Sequence, residues 1–174
     1  TAEGNVIYRD TAQGVTILAG TTAFNNKTKN VLATRKPVMI IKQNKDSIYV
    51  GADTLFSSIK LDSVTRQISD TTVAATAVKS GTDSIRFFQA FRHVKIFSDS
   101  LQGVCDSLYY SAKDSVFRMY REPFVWSGEN QISGDTIYMF TKNKQPDQLY
   151  VFENGFAISR TKENFYNQIS GNRI

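Results

Sequence analysis

The chain of 174 residues is 41% hydrophobic, enough for a core without disulfide staples, and its single cysteine, Cys105, excludes an intrachain disulfide or a multi-cysteine metal centre. Lys and Arg number 21 against 16 Asp and Glu, so the net charge is +5; this mild excess favours an anionic partner but is too scattered for a nucleic-acid-binding arm. Val, Ile, Thr, Phe, Tyr and Trp total 64 residues against 7 Leu and 5 Glu, a strand-forming composition that leaves almost no helix, and no run approaches the ~18–20 apolar residues of a membrane span.

Self-similarity organises the chain into units of about 25–40 residues. The first opens at Lys36 and Pro37 with the alternating pair Val38 and Ile40, runs through DSIYVG to Gly51, and launches a new strand at ADTLF, which contains Leu55. Residues i and i+2 of a strand share a face, so each such pair points one way. Residues 57–86 interrupt the pattern. No aromatic residue lies between Phe56 and Phe87, and SDTTVAATAVKSGTDS (69–84) is small and polar, which predicts an inserted hairpin or loop that is the most mobile part of the chain. The second unit carries Arg92, the pair Val94 and Ile96, DSLQG ending at Gly103, and VCDSLYY with Leu108. The third carries Arg121, Pro123, the pair Phe124 and Trp126, NQISG (130–134), and DTIYMF with Ile137. The fourth carries Phe156 and Ile158, then an identical NQISG (167–171), and stops at Ile174 where the pattern calls for another strand. Pro37 and Pro123 suit strand starts, where a missing amide proton costs least. Each unit therefore reads as strand, turn, short strand, glycine corner, strand. Stacked, such units form either a β-helix-like solenoid or a folded, jelly-roll-like pair of sheets with a shared apolar interior and unpaired terminal strands.

Of 11 Asp residues, ten precede Ser or Thr, and eight of those continue into Val, Ile or Leu. This is the signature of a turn in which the carboxylate accepts a local amide before a strand begins. Calcium is the rival, but one carboxylate per turn cannot supply 6–8 oxygens. The catalytic inventory is thin: His93 is the lone histidine and reads as a surface residue, Cys105 as a packed thiol, and no P-loop, GxGxxG, GxSxG or CxxC occurs. Stacking would bring Asp106 and Asp135 together as a polysaccharide-active enzyme requires, yet the turn role accounts for them. No enzymatic activity, cofactor or metal is expected. Lys36, Arg92 and Arg121 each fall two or three residues before the apolar pair of their unit, so stacking would align them as a cationic stripe for an anionic headgroup.

The run FRHVKIFSDSLQGVCDSLYYS, then REPFVWSGENQISGDTIYMF and FENGFAISRTKENFYNQISGNRI, together with KPVMIIKQNKDSIYVGADTLF, resembles the OstA-like family of lipopolysaccharide-transport domains typified by LptA, and its Bacteroidetes branch in particular. The likeness covers most of residues 1–174 as one β domain, apart from the polar insert at 57–86. It implies an elongated, all-β, antiparallel jelly-roll (β-taco) whose two sheets form a V around an apolar groove. It also implies a periplasmic location, lipopolysaccharide or lipid A as cargo, and edge-strand pairing with other OstA/LptA-type domains or head-to-tail with itself, with no role for nucleic acid. The groove candidates are Val38, Ile40, Leu55, Val94, Ile96, Leu108, Phe124, Trp126, Ile137, Phe156 and Ile158, each of which could instead be plain core. The other readings are a structural or adhesive scaffold with a closed core and, below it, a polysaccharide-active enzyme.

Overall fold

The structure, a computed structural model, describes residues 1–11, 14–42, 47–67, 78–142, 145–161 and 165–174. Every regular element among them is a strand: β1 (Ala2–Asp10), β2 (Val15–Asn25), β3 (Asn30–Thr34), β4 (Val38–Lys42), β5 (Ser47–Gly51), β6 (Thr54–Gln67), β7 (Val78–Phe97), β8 (Gln102–Ser111), β9 (Val116–Tyr120), β10 (Phe124–Ser127), β11 (Asn130–Ser133), β12 (Thr136–Lys142), β13 (Gln145–Arg160) and β14 (Tyr166–Arg173). All pairings are antiparallel, and the sheet closes on itself as a barrel to which β1 and β14 are added. Six strands, β2 to β7, complete one circuit through the β6–β7 ladder, and β8 to β13 complete a second through β8–β10; the β7–β8 ladder joins the two.

Long strands cross from one wall of this barrel to the other at a common corner. In β7, residues 78–91 pair with β6 on the second wall, whereas Lys95–Phe97 pair with β5 on the first. The bend is a bulge. Phe91 pairs with Ser107 and Val94 with Cys105, so one extra residue is accommodated on β7 by Arg92 and His93, at φ of 61° and 49°. The same left-handed pair recurs at Gly4–Asn5, Arg35–Lys36, Arg121–Glu122 and Glu153–Asn154. Between these bulges lie flatter corners at Gly20, Asp53, Asp106, Gly134 and Gly171. Backbone bonding continues across the corner, from the amides of Gly20, Asp53 and Asp135 to the carbonyls of Arg35, Arg92 and Glu153 at 3.0–3.1 Å.

The bulges decide which residues face inward. Passing one, the inward positions are four residues apart, as from Ala90 to Val94 or Met119 to Pro123; passing a flat corner they are three apart, as from Cys105 to Leu108. One interior row on the second wall then runs Ala33, Leu55, Ala90, Leu108, Met119, Ile137 and Val151 in continuous register, every member 2% exposed or less. The facing row on the first wall runs Ile17, Met39, Val50, Ile96, Gly103, Val125, Ile132 and Ala157.

The two NQISG copies flank β13 in identical register. Asn130 and Asn167 both oppose Ser159, and Ile132 and Ile169 both oppose Ala157. The expected insert is a hairpin: β6 and β7 stay paired from Thr54 and Phe91 out to Gln67 and Val78. Its centre, 68–77, and with it most of the segment expected to be mobile, lies outside the described residues.

At Gly134 a Cβ atom would collide with Val151 Cγ1 and stand 3.1 Å from the Glu153 carbonyl oxygen, whereas at Gly51 the nearest neighbour is 4.0 Å away. Gly134→Ala is expected to cost about 1–3 kcal/mol in urea unfolding, and Gly51→Ala to be neutral or slightly stabilising.

Candidate functional site

The interior is the first candidate. Leu55, Val94, Ile96, Leu108 and Ile137 lie in it, each 3% exposed or less. Val38, Ile40, Phe124, Trp126, Phe156 and Ile158 do not; they stand on the outward face of the first wall. There they alternate with the inward Met39, Val125 and Ala157, and Phe124 and Trp126 are 37% and 36% exposed. The correction has a simple cause. These strands are apolar on both faces (VMII, FVW, FAI), so alternation names two faces and the bulge register selects one. The inward residues that alternation passed over include all three methionines, Met39, Met119 and Met139, each 2% exposed or less. Aromatic packing fills the second wall's next interior row, with Phe88 against Tyr110 at 4.9 Å and Tyr110 against Phe117 at 4.4 Å between ring centres. The fully buried polar side chains among the described residues are Thr22, Ser57, Ser58, Ser98 and Ser111, none of them charged.

Two contacts among the described residues link the walls on the side away from the corner. Tyr8 of β1 meets the Phe24 ring at 5.8 Å near the N-terminal end of the interior. Asp10, at the end of β1, takes an ion pair from Arg86 Nε at 2.9 Å, and Arg86 Nη1 also donates to Ser57 Oγ. At 17% and 11% side-chain exposure this pair is largely desolvated, so it clasps the first wall to the second from within. At the opposite end, Ile169 occupies an interior register yet is 58% exposed, because among the described residues no strand beyond β14 covers it.

The corner is the second candidate. Lys36, Arg92 and Arg121 all belong to the left-handed pairs and are exposed at the bend, Lys36 as the second member of its pair and Arg92 and Arg121 as the first of theirs. Acids lie beside them. Asp53 Oδ2 lies 2.9 Å from His93 Nδ1, Asp106 Oδ2 accepts from Arg121 Nη1 at 3.3 Å, and Asp135 Oδ2 accepts from Asn154 Nδ2 at 2.9 Å. These aspartates therefore tie one rung to the next, unlike Asp114, whose carboxylate accepts the Val116 amide as a turn aspartate should. Burial alone would raise the Asp114 carboxyl, but hydrogen bonds from Arg118 and from Val116 outweigh it and hold the group below its usual range. Asp106 and Asp135 line one shallow depression with Tyr120, Arg121 and Glu122, and each is engaged by a neighbouring side chain. Among the described residues, no group of three His, Cys, Asp or Glu is placed to hold a metal ion.

Cys105 faces inward at the corner. Burial pushes its thiol up to about 12, a backbone hydrogen bond at Tyr120 opposes this, and the Asp106 charge adds to it. No protein-family model matches the chain, and no curated protein does.

Replacing Arg86 by Ala removes the ion pair to the largely desolvated Asp10 carboxylate and is expected to cost about 1–3 kcal/mol, with a coupling above about 1 kcal/mol in a double-mutant cycle with Asp10→Ala. Native Cys105 should react with iodoacetamide at about pH 8 at least roughly 100-fold more slowly than after unfolding. Because the folded thiol keeps its proton to about 12 while the unfolded one releases it near 9, its contribution leaves stability unchanged below 9 and lowers it as pH rises from 9 towards 12. Chemical unfolding across that range, compared with Cys105→Ala, measures the loss.

Proposed function

We propose that this chain is an OstA-like domain of jelly-roll (β-taco) form that shields the acyl chains of lipopolysaccharide or lipid A in the periplasm. In this reading it is a carrier and not an enzyme, and like domains extend it edge to edge. The observation that carries the reading is the interior: matched apolar rows run the length of both walls, shared by every rung, with no charged side chain fully buried among the described residues. Repeated, similar, weak apolar sites suit passage better than one tight pocket, since burial is worth roughly 25 cal/mol per Å² and a chain held too strongly would not move on. The methionines fit the same purpose, because an unbranched thioether side chain repacks around irregular apolar guests more readily than a β-branched one.

The interior is filled by its own side chains in this structure, so cargo enters only if the walls part. The Asp10–Arg86 clasp and the Tyr8–Phe24 contact lie on the side that would open. At the other end, β14 pairs with β13 alone among the described residues, and the half-covered interior at Ile169 offers both a strand edge and an apolar surface to a following β domain. Lys36, Arg92 and Arg121, outside the bend, are left with the lesser role of meeting headgroups that project beyond the groove.

A second reading, a structural scaffold with a permanently dry core, draws on the near-zero exposure of Met119, Val125, Ile137 and Met139. One measurement separates the two. A benzophenone amino acid at Phe117 or Phe88, which preserves an inward aromatic, should yield lipopolysaccharide adducts on irradiation of Gram-negative cells, and should yield more than the same group at outward Phe124. An interior that gives no adduct while the protein is folded and present supports the scaffold.

A further inference from the structure

The outward face of the first wall carries a feature that the interior does not explain. Tyr49 and Phe97 are cross-strand partners, 41% and 50% exposed, with ring centres 6.4 Å apart. Phe124 and Trp126 stack at 6.1 Å on β10, and Val38 and Ile40 continue the apolar strip on β4. Register makes the strip continuous: Ile40 opposes Tyr49, Tyr49 opposes Phe97, Phe97 opposes Gln102, and Gln102 opposes Trp126. A contiguous exposed patch of this kind on a folded protein marks an interaction surface.

Charge narrows what that surface meets. The outward strand positions of this wall hold Arg9, Lys42, Lys95 and Arg160, and among the described residues no Asp or Glu. Arg160 is held by Glu129 of the β10–β11 turn at 3.4 Å, whereas Arg9, Lys42 and Lys95 make no side-chain ion pair or hydrogen bond to the described residues. The second wall differs. Its Arg118 is paired with Asp114 and lies over the rings of Tyr109 and Tyr138, at 5.6 and 5.3 Å. A groove of about 600 Å³ opens on the first wall between β1, β2 and β4, lined by Ile7, Leu18 and Ile40 together with Arg9 and Lys42 and one acid, Asp10, whose carboxylate is paired with Arg86.

We propose that the outward face of the first wall docks on an anionic lipid bilayer. Exposed Trp, Tyr and Phe side chains belong at the boundary between headgroups and acyl chains, and Arg9, Lys42 and Lys95 beside them are drawn to anionic headgroups. The interaction is lateral, made by the outside of the barrel, and does not depend on anything entering its interior.

Trp126, the one tryptophan of the chain, lies on this face and reports on it directly. Phosphatidylglycerol-containing vesicles should shift its emission to the blue, and brominated acyl chains in those vesicles should quench it, while pure phosphatidylcholine vesicles do neither. Lys42→Glu with Lys95→Glu should weaken vesicle partitioning by about tenfold or more, and the same charge change at Lys27 and Lys29, on the β2–β3 turn, by less than about twofold. Circular dichroism of both variants verifies that they fold. Absence of shift and quenching overturns the proposal, as does an equal loss in both double variants. A blue shift that grows with protein concentration without lipid overturns it too, by showing that a second copy covers the face. Crosslinking from Phe117 is unaffected by any of these results, so this inference and the carrier reading fail separately.

Discussion

The two-residue left-handed bulge, repeated on every second strand at one place in the ladder, is the constraint on which the rest of the molecule depends. Among the described residues, nine of the eleven non-glycine residues with positive φ sit at these corners, and an L-residue there costs on the order of 1 kcal/mol or more. That cost is sustained because each bulge inserts one residue without breaking the hydrogen-bond ladder, as the corner bonds of 3.0–3.1 Å show. A flat sheet thereby becomes two walls joined along a line. The line is tightened from the other side by close backbone approach at Gly134 and Gly155, where a side chain would meet Val151 or the Gly171 carbonyl, and it is stitched on the outside by Asp53, Asp106 and Asp135.

Once the walls exist, every strand has an inner and an outer face, and this chain makes many of both apolar. The inner rows join into one continuous core with three methionines and no charge among its buried members. The outer faces carry aromatics in two styles. On the second wall they pack against one another and beneath Arg118, as Tyr120 with Tyr138 and Tyr138 with Phe152 illustrate. On the first wall they stand more openly beside cations, of which Arg160 is paired with Glu129 while Arg9, Lys42 and Lys95 meet no acid among the described residues. The two proposals follow from this division. The interior is a conduit or a plain core depending on whether the Asp10–Arg86 side parts, and the first wall's outer surface is a place of contact whichever of those holds.

Much of this was legible residue by residue. The NQISG copies were recognisable as equivalent rungs, and they bracket β13 in the same register; the glycine that ends each copy occupies a corner. Lys36, Arg92 and Arg121 are all corner residues, though Lys36 takes the second place of its bulge and the two arginines the first of theirs. The aspartate pattern was half understood. Asp114 is a turn residue, but the D-S-L and D-T-I aspartates at 106 and 135 bond to the next rung, a partner 15 to 19 residues further along that no local rule supplies. The clasp between Asp10 and Arg86 is more remote still, since it needs both walls in place before either residue has a partner.

The sequence by itself determined that the chain is built of strands and that the units repeat, because strand propensity, turn chemistry and periodicity are local properties of consecutive residues. Of the expected glycine corners, Gly134 and Gly171 stand at the bend, whereas Gly51 and Gly103 lie in β5 and β8 on the first wall and the bend comes at Asp53 and Asp106. The sequence did not decide which of two apolar faces is the inside. At Val38, Ile40, Phe124, Trp126, Phe156 and Ile158 only the tertiary structure did so, through the extra residue at each corner: a shift of one position exchanges the two sides of a strand, and that shift is set by how β3, β4, β9, β10 and β13 pair across the bend.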